Sequence, residues 1–224
     1  MTTTHRRELK TRKKAWVGYL TRRLVATHIT PNQISLISII CAAFSGLFFY
    51  LFSHHPHWVW LLFAAVFIQL RLLCNMMDGL VAVEGGKGTQ SGELFNDIPD
   101  RFADVLILLG AGYAAGSNWG ATLGWSAAML AVMTAYIRTL GGSLGAPISF
   151  IGPMAKQHRM GALTAITLLT IVETLLWNSH RLLLIGLLII IAGTLWTCYR
   201  RAAAIYHFLE KQPDKHLDGE NHVA

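Results

Sequence analysis

The chain is 224 residues long, 53% hydrophobic and only 14% charged, with a formal net charge of +7. A soluble domain usually carries about 25% charged residues, and here the apolar residues fall in long blocks rather than in the short stripes of a soluble amphipathic helix. This pattern excludes an ordinary soluble enzyme and predicts an all-α, polytopic membrane protein, because unbroken apolar runs satisfy their backbone groups in lipid only as helices.

Residues 1–33 form a basic segment with Arg6, Arg7, Lys10, Arg12, Lys13, Lys14, Arg22 and Arg23. Within it Trp16, Val17, Leu20 and Leu24 recur at helical spacing. That predicts an amphipathic helix lying on anionic lipid headgroups rather than a nucleic-acid arm. Six apolar blocks follow, at about 34–53, 58–82, 98–116, 121–140, 162–178 and 182–199, each near the roughly 20 residues needed to cross the hydrocarbon core. The first block lies beyond more than thirty residues that carry no small-residue cleavage site, so it reads as a retained span. Residues 34–200 thus read as a six-helix transmembrane domain and 201–224 as a tail. Lys87, Lys156, Arg159, Arg200, Arg201, Lys211 and Lys215 fall on the side of the N-terminal segment, against Arg181 alone on the other. The positive-inside rule therefore predicts that both termini are cytoplasmic; the expected location is a bacterial inner membrane.

Several residues carry blander expectations. Cys41, Cys74 and Cys198 lie in apolar blocks without ligand spacing and read as packing residues. His54, His55 and His57 read as a solvated loop, and Trp58 and Trp60 as part of an interfacial aromatic belt. Glu173 sits inside the fifth block with no evident partner.

The informative stretch is 71–104, RLLCNMMDGLVAVEGGKGTQSGELFNDIPDRFAD, which holds six of the twelve acidic residues. Ionisable residues within a span are expensive and mark function. Asn75 and Asp78 are three apart and share a helix face; Asn96, Asp100 and Asp104 repeat at four and share another. Two neighbouring helices would aim these oxygens at one point near the cytoplasmic surface, a donor set suited to Mg²⁺, Mn²⁺ or Ca²⁺ rather than zinc. Glycines 79, 85, 86, 88 and 92 leave room for a ligand to approach the backbone. A second polar cluster, Arg138, Lys156, His158 and Arg159, faces the same side and suits a phosphate.

This segment resembles the signature of the CDP-alcohol phosphatidyltransferases, D-x2-D-G-x2-A-R-x8-G-x3-D-x3-D, with Asn75, Asp78, Gly79, Ala82, Val83, Gly92, Asn96 and Asp100 at its specified positions. The spacing is kept throughout; asparagine replaces the first and third aspartates, and Val83 replaces the arginine. The stretch ITPNQISLISIICAAFSG from Ile29 is similar to the start of the family's first span. The resemblance implies transfer of a phosphatidyl group from CDP-diacylglycerol to an alcohol acceptor such as glycerol 3-phosphate, with CMP leaving, in phospholipid biosynthesis. It implies a Mg²⁺ or Mn²⁺ cofactor on Asp78, Asn75, Asn96 and Asp100, with Asp104 able to compensate for lost charge, and Asp100 as the base. It implies nucleotide contacts at Gly79, Ala82 and Gly92, with Lys87 standing in for the arginine, and acceptor or diphosphate contacts at Arg138, Lys156 and Arg159. Membrane lipids as surroundings, a homodimer and no nucleic-acid partner complete that expectation. Two alternatives stand beside it. One is a pseudoenzyme or lipid-binding protein that has lost catalytic carboxylates. The other is an intramembrane prenyltransferase, whose N-D-x2-D-x3-D pattern NDIPDRFAD also matches, although no acidic residue lies between Asp104 and Glu173 to supply that class's second motif.

Overall fold

The computed structural model describes residues 15–147, 150–177 and 179–211. The cations from Arg6 to Lys14 and the predicted tail from residue 212 onward lie outside them. Among the described residues the structure is all-helical: α1 (Ala15–Val25), α2 (Pro31–His54), α3 (Trp58–Glu84), α4 (Gly92–Ala114), α5 (Gly120–Ser143), α6 (Lys156–Trp177) and α7 (Arg181–Glu210). Helices α2, α3, α5, α6 and α7 are long and apolar enough to cross a membrane. Helix α4 is the exception, because Glu93, Asp97, Asp100, Arg101 and Asp104 crowd its first half.

Local chemistry sets the ends. Thr30 and Gln33 form a reciprocal capping box at the start of α2, with Pro31 at the first helical position, where its missing N–H costs nothing. The start of α7 is capped from another helix. Glu173 of α6, buried, accepts from the Ser179 hydroxyl at 2.5 Å and from the backbone N–H groups of Arg181 and Leu182 at 2.9 and 3.0 Å. Its charge meets the positive end of the α7 dipole, which accounts for a carboxylate that the sequence left without a partner. Replacing a cap of this kind costs about 0.5–2 kcal/mol. Glu173→Ala should accordingly lower the unfolding midpoint in detergent while leaving the distant polar end of the bundle intact; an unchanged midpoint would contradict the cap.

Helices α2 to α7 pack in a ring, in the order α3, α2, α4, α5, α7, α6 and back to α3. Helix α2 stands between α3 and α4 over most of their length, so the two helices that carry the signature are not side-by-side neighbours as expected and meet chiefly at their polar ends. Close approach at the seams rests on glycine. A Cβ on Gly110 of α4 would sit 2.7 Å from Cα of Gly46 in α2, and one on Gly112 would sit 2.6 Å from Cα of Gly124 in α5. Such small-residue contacts replace the hydrophobic drive that is absent between helices in lipid. Outward the bundle shows Leu36, Ile40, Phe44 and Leu47 on α2 and Leu168, Leu169, Val172 and Leu175 on α6, an apolar surface suited to acyl chains. Inward, Thr167, Thr170 and Thr194 are buried and return their hydroxyls to carbonyls one turn back.

Helix α1 docks on α3. Val17 is fully buried with Leu20 and Leu24 packed around Met77, Leu80 and Val81, and Thr21 is buried beside them. Trp16, expected on this face, is half exposed instead.

Candidate active site

A cavity of about 200 Å³ opens where α3 ends, α4 begins, α5 ends, α6 begins and α7 passes. Its walls include Asn75, Asp78 and Gly79 from α3; Asn96, Asp97, Asp100 and Arg101 from α4; and Thr134 and Arg138 from α5. Lys156 and Arg159 from α6 and Arg201 from α7 complete it. The two polar clusters read separately in the sequence are therefore one site.

Asp100 is the hub. Oδ1 accepts from Nδ2 of Asn75 at 2.7 Å and from Nη2 of Arg71 at 3.2 Å, while Oδ2 accepts from the Lys156 ammonium. A carboxylate offers about four lone-pair directions, so Oδ2 keeps one acceptor direction, with Arg101 Nη2 standing 3.8 Å away. Asn75 Nδ2 also lies 3.4 Å from Oδ1 of Asn96, which joins the two asparagines across the site. Asp78 is held differently, by the Ser35 hydroxyl at 2.6 Å on Oδ2 and the Gly79 N–H at 2.5 Å on Oδ1.

Asp104 lies beneath the cavity rather than in its wall. It is 1% exposed and sits between Arg71 at 2.8 Å and Arg159 at 2.5 Å, which are themselves 0% and 1% exposed. Arg71 Nε and Nη1 and Arg159 Nε are buried and find no hydrogen-bond acceptor among the described residues. At the rim Arg138 donates to both oxygens of Asp97, at 2.9 and 2.7 Å, and lies over the Phe150 ring, while Arg101 stands 3.9 Å from Asp97. Arg201 donates to the carbonyls of Thr134 and Ile151 at 2.7 and 3.0 Å.

Of the residues singled out in the sequence, Asn75, Asp78, Gly79, Asn96, Asp100, Arg138, Lys156 and Arg159 line the cavity. Ala82, Gly92 and Lys87 do not. Lys87 donates instead to the carbonyls of Val25, Thr27 and Ile29, at 3.0, 2.6 and 3.5 Å, and ties the end of α1 to the loop after α3. Three participants were missed. Arg71 is an arginine inside an apolar span, itself a signal of function; Arg201 reads in sequence as one more topology cation; Ser35 is indistinguishable from a packing serine.

The signature implies a divalent metal on this donor set. Among the described residues no group of three or more His, Cys, Asp or Glu side chains is placed to hold a metal ion. Both oxygens of Asp100 and both of Asp104 already face cations of the chain, and asparagines fill two of the four signature positions. These residues do not fit a four-carboxylate, two-metal arrangement.

Residues 28–199 match the CDP-alcohol phosphatidyltransferase family. The chain belongs to that family. Its members transfer substituted phosphate groups and are metal-dependent, so the chain is a membrane transferase of phospholipid biosynthesis by descent. Inner membrane protein YnbA of Escherichia coli (strain K12) is 24% identical over 180 residues, covering 80% of this chain and 85% of YnbA. The fold is also that of Mycobacterium tuberculosis phosphatidylinositol phosphate synthase (PgsA1). With CDP-DAG bound, that structure gives a TM-score of 0.70 at 18% identity, over 84% of this chain and 92% of PgsA1. In complex with manganese and citrate, the same enzyme gives 0.69 at 17% identity, over 84% and 88%.

Proposed function

We propose that the protein transfers the phosphatidyl group of CDP-diacylglycerol to a hydroxyl of a phosphorylated polyol and releases CMP. The observation that carries this reading is the convergence of Asp78 and Asp100 with Arg138, Lys156, Arg159 and Arg201 on one cavity. A carboxylate able to take a proton and cations able to hold phosphate oxygens are what this transfer needs. Inositol phosphate is the preferred acceptor over glycerol 3-phosphate, since PgsA1, whose fold this chain shares, is named for that chemistry.

In this reading Lys156 and Arg159 bind the donor diphosphate, and Gly79 gives it close access to the end of α3. Arg138 and Arg201, on the α5 and α7 side, take the acceptor phosphate. The acceptor oxygen bonds to the phosphorus that carries the diacylglycerol, the bond from that phosphorus to the CMP oxygen breaks, and CMP leaves with the electron pair. The hydroxyl proton passes to the remaining acceptor direction of Asp100 Oδ2. Asn75 and Arg71 hold that carboxylate in place from its other oxygen.

The membrane arrangement follows. Residues 34–200 form the catalytic domain and α4 is the sixth span: its 23 residues reach about 34 Å, enough for a hydrocarbon core of about 30 Å. Asp97, Asp100 and Asp104 turn to cations of α5, α3 and α6 rather than to lipid, and Glu93 lies in the first turn at the end of the helix. Helix α1, within the 1–33 segment, lies at the headgroup level with Arg22 and Arg23 toward anionic lipid, and 201–224 continues into the cytoplasm. An inner bacterial membrane is supported by the likeness to YnbA. Cysteines placed in the loop between α3 and α4, residues 85–91, should label only from the cytoplasmic side of sealed vesicles; labelling from outside would contradict this placement.

The catalytic reading is tested by CMP release from CDP-diacylglycerol with a panel of inositol phosphate, glycerol 3-phosphate, inositol and serine. Release is expected with phosphorylated acceptors, inositol phosphate first. Tight CDP-diacylglycerol binding without release would favour the lipid-binding alternative, to which Asn75 and Asn96 lend their weight.

A further inference from the structure

Five cations line the cavity, Arg101, Arg138, Lys156, Arg159 and Arg201, against three carboxylates, Asp78, Asp97 and Asp100. The surplus of two positive charges is equal and opposite to the two negative charges of a diphosphate diester. Behind this wall a second balance holds. Asp100 and Asp104 are both clamped by Arg71, and the clamp is closed by Lys156 on the first and Arg159 on the second. In a family whose signature supplies four carboxylates for divalent ions, this chain has two asparagines and a buried arginine bonded to the last signature aspartate. A divalent ion placed among Asp78, Asn75, Asn96 and Asp100 would meet half the signature charge and would lie close to Lys156 and Arg71. At such short range like charges repel strongly in a poorly solvated site. Arg159 lines the cavity, and its Nε, like Arg71 Nε and Nη1 below, is buried without an acceptor among the described residues, so the protein's own oxygens do not use up the positive side of the cluster.

We propose that Lys156, Arg159 and Arg71 supply in this chain the positive charge that divalent ions supply elsewhere in the family, so that the CDP diphosphate is bound without a metal ion. Lys156 and Arg159 touch the diphosphate; Arg71 is a positioning residue that fixes Asp100 and Asp104 and offsets their charge. The inference rests on the proposed CDP-diacylglycerol chemistry, and its test separates the two. The full chain in detergent is stripped with EDTA, and CDP-diacylglycerol binding is measured by calorimetry with EDTA and with Mg²⁺, alongside Mn²⁺ binding by electron paramagnetic resonance. The expected result is CDP-diacylglycerol affinity within threefold in the two conditions and no saturable Mn²⁺ binding below millimolar concentration. Lys156→Gln should weaken that affinity at least tenfold in EDTA. Asn75→Asp, alone or with Asn96→Asp and Arg71→Ala, should gain Mn²⁺ affinity at least tenfold; the single variant leaves the Arg71–Asp104 pair in place and guards against misfolding of the triple one. Binding that vanishes in EDTA and returns with Mg²⁺ overturns the inference and leaves the transfer reading standing. Failure to bind CDP-diacylglycerol in both conditions overturns both.

Discussion

Asp100→Asn is expected to lower CMP release by about 100- to 10,000-fold, the range over which a positioned proton acceptor contributes. At 100-fold this is about 2.7 kcal/mol of transition-state stabilisation. The amide keeps the volume of the carboxylate and one oxygen able to accept from Asn75 and Arg71, so the fold of the site survives. Its NH₂ group, however, cannot take a proton, and it turns a donor toward the Lys156 ammonium that now donates to Oδ2. The loss should fall in kcat, because removing a negative charge beside the diphosphate does not weaken donor binding. Steady-state CMP release, with KM measured for CDP-diacylglycerol and for the acceptor, checks this split. Activity within threefold of the wild type would remove Asp100 from the role of proton acceptor.

Asp104→Ala is expected to be the most destabilising single change, by about 3–5 kcal/mol, the usual cost of removing one partner from a buried pair. Two guanidinium groups almost completely shielded from solvent depend on this one carboxylate, Arg71 at 2.8 Å and Arg159 at 2.5 Å. Without it Arg71 keeps only its contacts to Asp100, and Arg159 keeps a 3.4 Å contact to the Met154 carbonyl. Asp97→Ala is the comparison. Its pair with Arg138 is nearly as short, 2.7 Å, yet the two side chains are 30% and 21% exposed. Pairs with that access to water are worth about 0–1 kcal/mol. Reversible unfolding of both variants in mixed micelles should separate them by several-fold in free energy. Equal losses would mean that burial does not set the strength of these pairs.

The sequence showed the helices well and the site in halves. Apolar blocks separated by glycine, proline and charge fell on α2 to α7; among the described residues five of these are long and apolar enough to span a membrane, while α4 carries five charged residues in its first half. Asn75, Asp78 and Asp100 were legible because their spacing alone puts oxygens on helix faces. What was not legible depends on which helices touch. Asp104 reads as a carboxylate able to compensate for the lost ligand charge, along the face of Asn96 and Asp100, but the ring brings α3 and α6 to it, and Arg71 and Arg159 claim it. Lys87 is four residues beyond Val83 and so reads as a substitute for the missing arginine; the docking of α1 on α3 gives it three backbone carbonyls instead. Glu173 found its partners at a helix end only six to nine residues away, past a turn whose geometry no spacing rule supplies. Arg201 shows the same limit: among basic residues after the last span, nothing in sequence distinguishes the one that folds back on Thr134.

Identification of the product lipid tests the central claim most directly. Purified protein is incubated with CDP-diacylglycerol and inositol phosphate, and the organic and aqueous phases are analysed by mass spectrometry. The account predicts a lipid in which the intact phosphatidyl group is joined to the acceptor, one CMP for each product molecule, and neither species with Asp100→Asn. Phosphatidic acid with CMP, formed whether or not an acceptor is present, would contradict transfer to an alcohol. Unchanged CDP-diacylglycerol with every acceptor would contradict catalysis at this cavity altogether.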